Sequence, residues 1–411
     1  MRLREARDLV RPPSHSRSSG KAAPSRARAL ARCHDVDDLR LEARRRLPRA
    51  VFDYIDGGAD NESTLTANES AFASWRFTPR VLIDVTSPDL TTSILGQDVP
   101  LPVGFAPTGY TRMAHPDGEL AVAKASATLG VPYCVSTVAT TAVEDVARVA
   151  GPGTWCQLYL LRDRALSWAL MKRAYDAGVR VLEVSVDTAV AGHRTRDVKR
   201  GLTIPPSLTL GTLLDIGVHP RYWTRMLRAP AFTFANFTNQ LPAGSTVSTV
   251  TEQFDPSTTW DDFAEIRERW EGALTVKGPL GPRDAKRATA MGADAIHLSN
   301  HGGRQLDRCI AALDLVRPVR EAIGDTPIII DSGIRHGMDV AVALARGANF
   351  AMLGRPYLYG LSIDGQAGAE HVMSIIQAQL RRTFQLLGVT SIRDLQEHAD
   401  DLIVQTGGLS Q

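Results

Sequence analysis

The sequence repeats one pattern eight times from about residue 100: a short apolar run, a polar or glycine-containing tip, and an amphipathic helical stretch. Continuous apolar runs without polar alternation are typical of strands that are buried on both faces, as in parallel sheets. The pattern predicts eight such strands, at residues 102–106, 132–136, 155–159, 179–186, 273–277, 294–299, 327–331 and 349–354.

Helical spacing of apolar residues follows most of these runs, at 118–129, 164–177, 282–291, 310–323 and 338–345. Successive strands start about 21–33 residues apart, except for about 94 residues between the fourth and the fifth. Eight units of this size predict an α/β fold, a (β/α)8 TIM barrel with a long loop after strand 4, rather than an open doubly wound sheet. Residues 36–46 and 49–55 are predicted as N-terminal capping helices under the barrel, and 367–387 as its closing helix.

The N-terminus differs from the rest of the chain in charge. Residues 1–50 carry a net charge of +8 and the remaining residues carry −6, which gives +2 for the whole chain. We therefore expect a basic, disordered extension at 1–34, with an organelle transit peptide of similar composition as the alternative, and one catalytic domain at 35–405. No run reaches the 18 apolar residues of a membrane span, and the four cysteines have no metal-binding spacing. These features favour a cytoplasmic protein with reduced thiols and no metal.

Polar residues stand at the tip of nearly every predicted strand, and in this architecture active sites lie at those tips. The last two tips, 331–335 and 354–355, each combine a glycine with an arginine. Glycine lets backbone N–H groups approach an anion, and arginine binds phosphate oxygens. Because strands seven and eight usually hold phosphate in such barrels, the pattern predicts a phosphate-bearing ligand.

The sixth tip holds His301 and Arg304, separated by two glycines. This spacing brings a general base and a carboxylate-binding group into one small loop. A surface histidine and arginine on a flexible loop would explain either residue alone. It would not explain their pairing with Lys277 on the preceding strand and Asp187 across the barrel.

The stretch from Ser299 to Asp307 resembles the active-site signature of the FMN-dependent α-hydroxy-acid dehydrogenase/oxidase family, which includes glycolate oxidase, flavin L-lactate dehydrogenases and mandelate dehydrogenase. The similarity runs from about residue 36 to 404 and is greatest to the bacterial L-lactate dehydrogenases. Further matching segments occur in order at 47–48, 52–54, 106–108, 113–116, 157–159, 186–188 and 276–278.

The resemblance implies FMN as the cofactor. Its ring would contact residues of the first strand tip and hydrogen-bond to polar side chains of the next three, namely Ala106, Pro107, Thr108, Ser136, Gln157 and Ser185. Its phosphate would be held by Asp331, Ser332, Gly333, Arg335, Gly354 and Arg355. Lys277 would stabilise the negative charge of the reduced ring, with a structural salt bridge as the alternative. Ser332 replaces the commoner glycine of the family, which is tolerable if its backbone angle is ordinary.

The resemblance also assigns substrate and catalytic roles. The substrate carboxylate would bind two arginines and its hydroxyl two tyrosines: Arg194, Arg304, Tyr54 and Tyr159. His301 would take the hydroxyl or the α-carbon proton, and Asp187 would orient it and stabilise its imidazolium. Tyr159 and Lys277 complete the expected catalytic set, whereas His297 is expected to point elsewhere.

The implied reaction is oxidation of an (S)-2-hydroxy acid, in the first place L-lactate, to the 2-oxo acid, with electrons passed to a quinone or another acceptor. Gly109, where many oxidases of the family carry alanine, favours a dehydrogenase, and Val138, where plant glycolate oxidases carry tryptophan, suggests a roomier pocket. An oxygen-using oxidase or monooxygenase remains the alternative. From a different class, a barrel aldolase or isomerase would use the phosphate-binding tips without a flavin.

The long loop is both basic and aromatic at 203–255. We expect it either to contact an anionic membrane surface peripherally or to pack on the barrel or a neighbouring subunit. The family resemblance implies a homotetramer. Nucleic-acid binding is not expected, because the basic residues form no stripe with base-stacking aromatic residues.

Overall fold

The computed structural model describes residues 25–200, 217–230, 234–237 and 252–406. Within them, eight parallel strands close into a barrel in which the last strand pairs with the first. We number them β1 to β8: Val103–Phe105, Tyr133–Val135, Thr154–Leu158, Val181–Ser185, Ala273–Gly278, Ala295–Leu298, Ile328–Ile330 and Phe350–Leu353. The (β/α)8 TIM barrel and all eight predicted strands are thereby confirmed.

A helix comes after each barrel strand along the chain: Gly118–Leu129, Val143–Ala150, Arg164–Asp176, Trp260–Arg269, Pro282–Ala290, Ala312–Ile323, Gly337–Ala345 and Arg355–Leu387. The sequence pattern does not single out the second and fourth of these, because the second has only eight residues and the fourth lies at the end of the long loop. The loop after β4 also contains the short helices Thr195–Arg200 and Pro220–Arg228.

The predicted closing helix at 367–387 corresponds to the second of two helical segments that together span Arg355–Leu387. The two segments meet at a bend where Asp364 and Gly365 leave the helical conformation. The bend brings Gly360 and Gly368 together, since a Cβ atom on Gly368 would lie only 1.8 Å from the Gly360 carbonyl oxygen. Two helical segments can therefore cross at van der Waals contact.

Four helices precede the barrel: Ser25–Leu30, Val36–Arg46, Arg49–Asp56 and Ser63–Ala73. Ser25–Leu30, part of the 1–34 segment assigned from sequence to the extension, form a helix that buries Ala29 and Leu30, so the packed chain extends further towards the N-terminus than 35. Residues 1–24 lie outside the described part. The third helix was expected under the barrel, yet it carries Tyr54 to the opposite end, where the strands terminate.

Two small antiparallel sheets complete the fold. Thr92–Ile94 pairs with Gln97–Val99, and Trp75–Phe77 pairs with Ile403–Gln405. Ile94 and Val99 of the first sheet pack against Trp155, Ile329 and Phe350 inside the barrel. This apolar plug closes the end of the barrel where the strands begin and leaves the other end for polar side chains.

The helix Pro220–Arg228 packs against the barrel through its aromatic side. The Tyr222 hydroxyl donates to the Met113 carbonyl oxygen at 3.0 Å, and Phe234 and Phe237 further along are buried. Residues 201–216, 231–233 and 238–251 of the same loop lie outside the described part. Among the helices that the structure describes, none is long and apolar enough to cross a membrane.

Candidate active site

One cavity opens where the barrel strands end. Residues that follow seven of the eight strands line it, together with Tyr54 and Ile55 from the N-terminal segment and Phe254 from the long loop. Of the residues assigned from sequence, all except Ser136 and Asp187 line this cavity. These two lie directly behind it, because Ser136 Oγ donates to Gln157 Oε1 at 3.2 Å and Asp187 contacts His301.

His301 stands between a carboxylate and a phenol. Its Nδ1 lies 3.2 Å from both carboxylate oxygens of Asp187, which is nearly buried, and its Nε2 lies 3.3 Å from the hydroxyl of Tyr159. A carboxylate at Nδ1 favours the tautomer that carries its proton there, so Nε2 is left as the basic nitrogen. The imidazole is therefore oriented to accept a proton from a molecule in the cavity.

The backbone around His301 holds the ring in place. His301 is in the left-handed region at φ +60°, and Gly302 and Gly303 follow at φ +64° and +72°. The His301 N–H donates to Ser299 Oγ at 3.0 Å. A Cβ atom on Gly303 would lie 2.7 Å from the backbone nitrogen of Leu65, so glycine is required for the loop to pack against the helix Ser63–Ala73.

Two arginines converge on Tyr54. The guanidinium carbons of Arg304 and Arg194 lie 4.8 Å and 5.4 Å from the centre of its ring. Arg304 also donates to the carbonyl oxygens of Tyr54 and Gly57, and Arg194 pairs with Asp197 at 3.1 Å. Burial, followed by repulsion from Arg194, lowers the pKa of Arg304. An anion bound between the two guanidinium groups would relieve that repulsion.

The end of the cavity at β7 and β8 is also cationic. Burial and then the charge of Arg304 lower the pKa of Arg355 to about 10. Arg355 donates to carbonyl oxygens of the 55–57 segment, and Arg335 donates to Glu69 at 2.8 Å. Gly333 has φ +100°, and a Cβ atom there would lie 2.4 Å from the Asn68 carbonyl oxygen. These crowded, desolvated cations beside a glycine turn fit an anionic group such as a cofactor phosphate.

Ser332 differs from the sequence expectation. Its φ is +69°, a left-handed angle rather than an ordinary one. Its side chain offsets the strain with hydrogen bonds: Oγ donates to Asp331 Oδ1 at 2.6 Å and accepts the N–H groups of Gly302 at 3.0 Å and Asn300 at 3.3 Å. Ser332 therefore ties the glycine turn after β7 to the loop that carries His301.

Lys277 both lines the cavity and forms a salt bridge. Its Nζ donates to Asp331 Oδ2 at 2.8 Å and to Ser299 Oγ at 2.5 Å. Burial would lower the pKa of Lys277, but the carboxylates of Asp331 and Glu183 outweigh it and raise the pKa above its ordinary value. The side chain is thus a fixed ammonium group at the barrel mouth.

Two of the cavity residues that were not assigned from sequence are aromatic. Tyr110 is buried with its ring edge-on to that of Tyr54, at 6.0 Å between centres, and it directly follows the first strand tip, where it could have been recognised. The Phe254 ring lies 4.8 Å from the Tyr159 ring between centres, with a tilt of 48° between the ring planes. It comes from the end of the long loop, and no sequence pattern marks its return to the barrel.

The fold and the site match one family throughout. The family model described as FMN-dependent dehydrogenase matches residues 43–401. A protein named putative L-lactate dehydrogenase, from Mycobacterium tuberculosis, is 44% identical over 372 residues, 90% of this chain and 89% of the relative. A protein named L-lactate oxidase, from Nostoc sp., is 39% identical over 360 residues, 86% of this chain and 94% of the relative.

A solved structure described as the monotopic membrane protein (S)-mandelate dehydrogenase has the same fold. Its TM-score is 0.86 at 35% sequence identity, over 90% of this chain and 99% of that one. The cationic cavity, the closed barrel and the family match along almost the whole chain agree with one another. The chain therefore belongs to the FMN-dependent dehydrogenase family, and it is an FMN-dependent oxidoreductase.

Proposed function

We propose that the protein oxidises an (S)-2-hydroxy acid, with L-lactate as the leading substrate, to the 2-oxo acid, and passes the electrons from reduced FMN to a quinone or another carrier. The observation that carries the proposal is the His301 imidazole, backed by Asp187 on one nitrogen and facing Tyr159 and two arginines on the other side. Relatives named for lactate and for mandelate support the substrate class.

Binding of the acid falls to Arg194, Arg304 and Tyr54. The two guanidinium groups lie on the Tyr54 ring, and together they provide the positive charge that a carboxylate needs in a desolvated cavity. A bound carboxylate places the neighbouring hydroxyl within reach of the Tyr159 hydroxyl and of His301 Nε2. The acid is thereby oriented before any bond is broken.

The proton moves to Nε2 of His301. Oxidation of a 2-hydroxy acid removes two electrons and two protons. His301 accepts one of those protons from the substrate, and the other would be taken up with the electron pair on reduction of the flavin. Asp187, with its oxygens at 3.2 Å from Nδ1, stabilises the imidazolium that results. Tyr159 fixes the position of the ring on the cavity side.

FMN, when bound, would supply the two-electron acceptor for this oxidation. Ala106, Pro107, Thr108, Gln157 and Ser185 would contact its ring, with Ser136 supporting Gln157, and the 331–335 and 354–355 segments would hold its phosphate. Lys277 would place its ammonium group near the ring edge that gains negative charge. These assignments come from the family resemblance, and the cavity lining and the excess of cations there support them.

The test is anaerobic mixing of the flavin-loaded protein with a panel of 2-hydroxy acids. We expect (S)-lactate to bleach the flavin absorbance, the (R) acid to leave it unchanged, and His301→Gln to retain FMN without bleaching. A loaded protein that no 2-hydroxy acid reduces would contradict the proposal. Reoxidation of the bleached protein with oxygen or with a soluble quinone then distinguishes an oxidase from a dehydrogenase.

The acceptor proposal rests partly on Gly109. A Cβ atom there would lie 2.6 Å from Val138 Cγ2, so the two residues share one small space beside the expected position of the ring. We expect reoxidation by quinone to be faster than by oxygen. Gly109→Ala together with Val138→Ala, which makes room for the new methyl group, should change the ratio of the two rates.

The aldolase alternative is disfavoured by the state of Lys277. A Schiff base requires a neutral amine, which burial beside another cation can provide. Lys277 instead faces the carboxylate of Asp331, and its pKa is raised. Borohydride with a carbonyl substrate should therefore leave Lys277 unlabelled.

Peripheral membrane contact through 203–255 is the second part of the acceptor proposal. The solvent-facing side of Pro220–Arg228 exposes Leu227 at 82%, and Arg221 and Arg228 beside it are also exposed. A similar structure is described as a monotopic membrane protein. We expect flotation with anionic phosphatidylglycerol vesicles, weakened by Leu227→Glu and unaffected by Leu386→Glu on the closing helix. No flotation would remove membrane contact from the proposal.

The assembly and location follow from the resemblance. We propose a cytoplasmic homotetramer, part of which associates with the inner face of the membrane. Light scattering of the purified protein measures the mass directly. A mass of one subunit at micromolar concentration would exclude the tetramer.

A further inference from the structure

A carboxylate and an imidazole lie inside the barrel, one layer below the cavity. Glu183 on β4 and His297 on β6 are both fully buried. Glu183 lies two residues before the end of its strand and His297 one residue before the end of its strand. The interior of such barrels is dominated by branched aliphatic side chains, and a buried charge is costly unless it is paired. Their presence there calls for a role that apolar side chains cannot supply.

The His297 ring has a carboxylate near each nitrogen. Its Nδ1 lies 2.6 Å from Glu183 Oε2, and its Nε2 lies 3.3 Å from Asp331 Oδ2, an ion-pair distance without hydrogen-bond alignment. A neutral imidazole has one N–H and one lone pair, so one nitrogen would turn its lone pair towards a carboxylate. With both carboxylates ionised, only the imidazolium avoids this repulsion. Burial would lower the pKa of His297, but Glu183 and then Asp331 outweigh it and raise the pKa.

Asp331 is consequently shared between two cations. Its Oδ2 accepts from Lys277 Nζ at 2.8 Å and also faces His297. Glu183 contacts the ring nitrogen that is remote from Asp331, so the positive end of the Glu183–His297 pair points towards Asp331 and Lys277. The negative charge of Asp331 is thus divided, and less of it neutralises the Lys277 ammonium.

We propose that Glu183 and His297 act as a positioning pair that frees part of the positive charge of Lys277 for the flavin and so raises the reduction potential of bound FMN. The inference rests on the proposed placement of Lys277 at the ring edge. A stronger positive field at that edge stabilises the reduced, negatively charged ring relative to the oxidised one. Neither residue touches the substrate, so the pair acts on the cofactor through Asp331 and Lys277.

The experiment compares the reduction potential of the flavin-loaded wild type with that of Glu183→Leu/His297→Val, by equilibration with a redox dye under anaerobic conditions. The double variant removes one anion and one cation together, so no unpaired charge stays buried. We expect the ratio of reduced to oxidised flavin at a fixed potential to fall about tenfold, which is about 30 mV for a two-electron couple. Glu183→Gln, which keeps the histidine, should lower the ratio less, and it serves if the double variant does not fold.

The matched control is Thr275→Val. Thr275 is the neighbour of Glu183 on β5, it is fully buried, and its hydroxyl forms no hydrogen bond to Asp331. We expect bound FMN to have the same reduction potential in Thr275→Val as in the wild type, because a change of packing in this layer should not by itself alter that potential. The inference would be overturned if the reduction potential of FMN in both the double variant and Glu183→Gln equalled that of the wild type or exceeded that of Thr275→Val.

This comparison needs only bound flavin and no substrate. If wild type and variants share one potential while lactate still bleaches the wild type, the pair has no redox role and the proposed function stands. If no hydroxy acid reduces the wild type, the proposed function fails independently of the dye titration.

Discussion

Replacement of Asp187 by asparagine removes the negative charge that faces the His301 imidazole, the proposed base of the reaction. The two carboxylate oxygens lie 3.2 Å from His301 Nδ1. Asparagine has nearly the same shape, so the loop after β4 should keep its conformation. What changes is the stabilisation of the imidazolium and the choice of tautomer, since an amide N–H facing Nδ1 moves the ring proton to Nε2.

The magnitude follows from the geometry. Two unit charges about 3.2 Å apart attract one another by about 5 kcal/mol at an effective dielectric constant of about 20. The His301 side chain is 25% exposed, and solvent screening reduces this to roughly 2–3 kcal/mol. Since about 1.4 kcal/mol corresponds to a factor of ten in rate, we expect flavin reduction to slow about 100-fold. The tautomer change would add to this loss.

The assay is stopped-flow reduction of the loaded protein by (S)-lactate without oxygen. The rate at saturating substrate should fall, whereas the substrate concentration at half saturation should change little, because Asp187 does not contact the carboxylate-binding arginines. Asp145→Asn is the matched control, since it removes a carboxylate that pairs with Arg148 on an outer helix. An Asp187→Asn protein that retains FMN and is reduced at the wild-type rate would refute the assigned role of the pair.

Three further outcomes are expected. Ser332→Ala removes the acceptor for the Gly302 N–H and should lower the free energy of unfolding by about 1–3 kcal/mol, measured by urea denaturation. Gly333→Ala places a methyl group 2.4 Å from a backbone oxygen and should weaken FMN binding at least tenfold in a fluorescence titration. Burial would raise the pKa of Asp56, but the hydrogen bonds and charge of Arg40 outweigh burial and lower that pKa to about 2. The Asp56 carboxylate therefore stabilises the fold above about pH 4, and this contribution is lost as the pH falls towards 2. The stability gap between wild type and Arg40→Met, about 2–3 kcal/mol near neutral pH, should therefore close over that range.

Each of these outcomes can fail separately. Equal unfolding curves for Ser332→Ala and the wild type would show that the loop does not depend on the hydroxyl. Unchanged FMN affinity in Gly333→Ala would place the phosphate elsewhere. A gap for Arg40→Met that stays constant with pH would show that Asp56 titrates as it does in the unfolded chain.

The barrel and most of its site could be predicted because both depend on short-range patterns. Each buried strand is a local apolar run, and the helix that follows ends at a recognisable glycine. Parallel strands in one barrel all end on the same side, so residues as distant in sequence as Lys277 and Asp331 could be assigned to one site without any knowledge of their contacts. The resemblance then supplied FMN as the cofactor.

Other features depend on how distant segments meet. The return of Phe254 to the cavity, and the position of Tyr54 at the barrel mouth instead of beneath it, follow from loop paths that no local pattern encodes. The left-handed angle of Ser332 depends on hydrogen bonds to a loop about 30 residues earlier in the chain. Sequence periodicity cannot report such contacts.

The sequence by itself determined the strands, the side of the barrel on which reactive groups gather, and the residue types available there. The tertiary structure alone decided how those groups affect one another. Glu183 and His297 each occupy a strand position that ordinarily packs an aliphatic side chain, and they are 114 residues apart. Only closure of the barrel, which sets the register of β4 against β5 and of β5 against β6, brings them together beneath Lys277. The physical reason is that a charge acts through space, over distances that the fold decides and the order of residues does not.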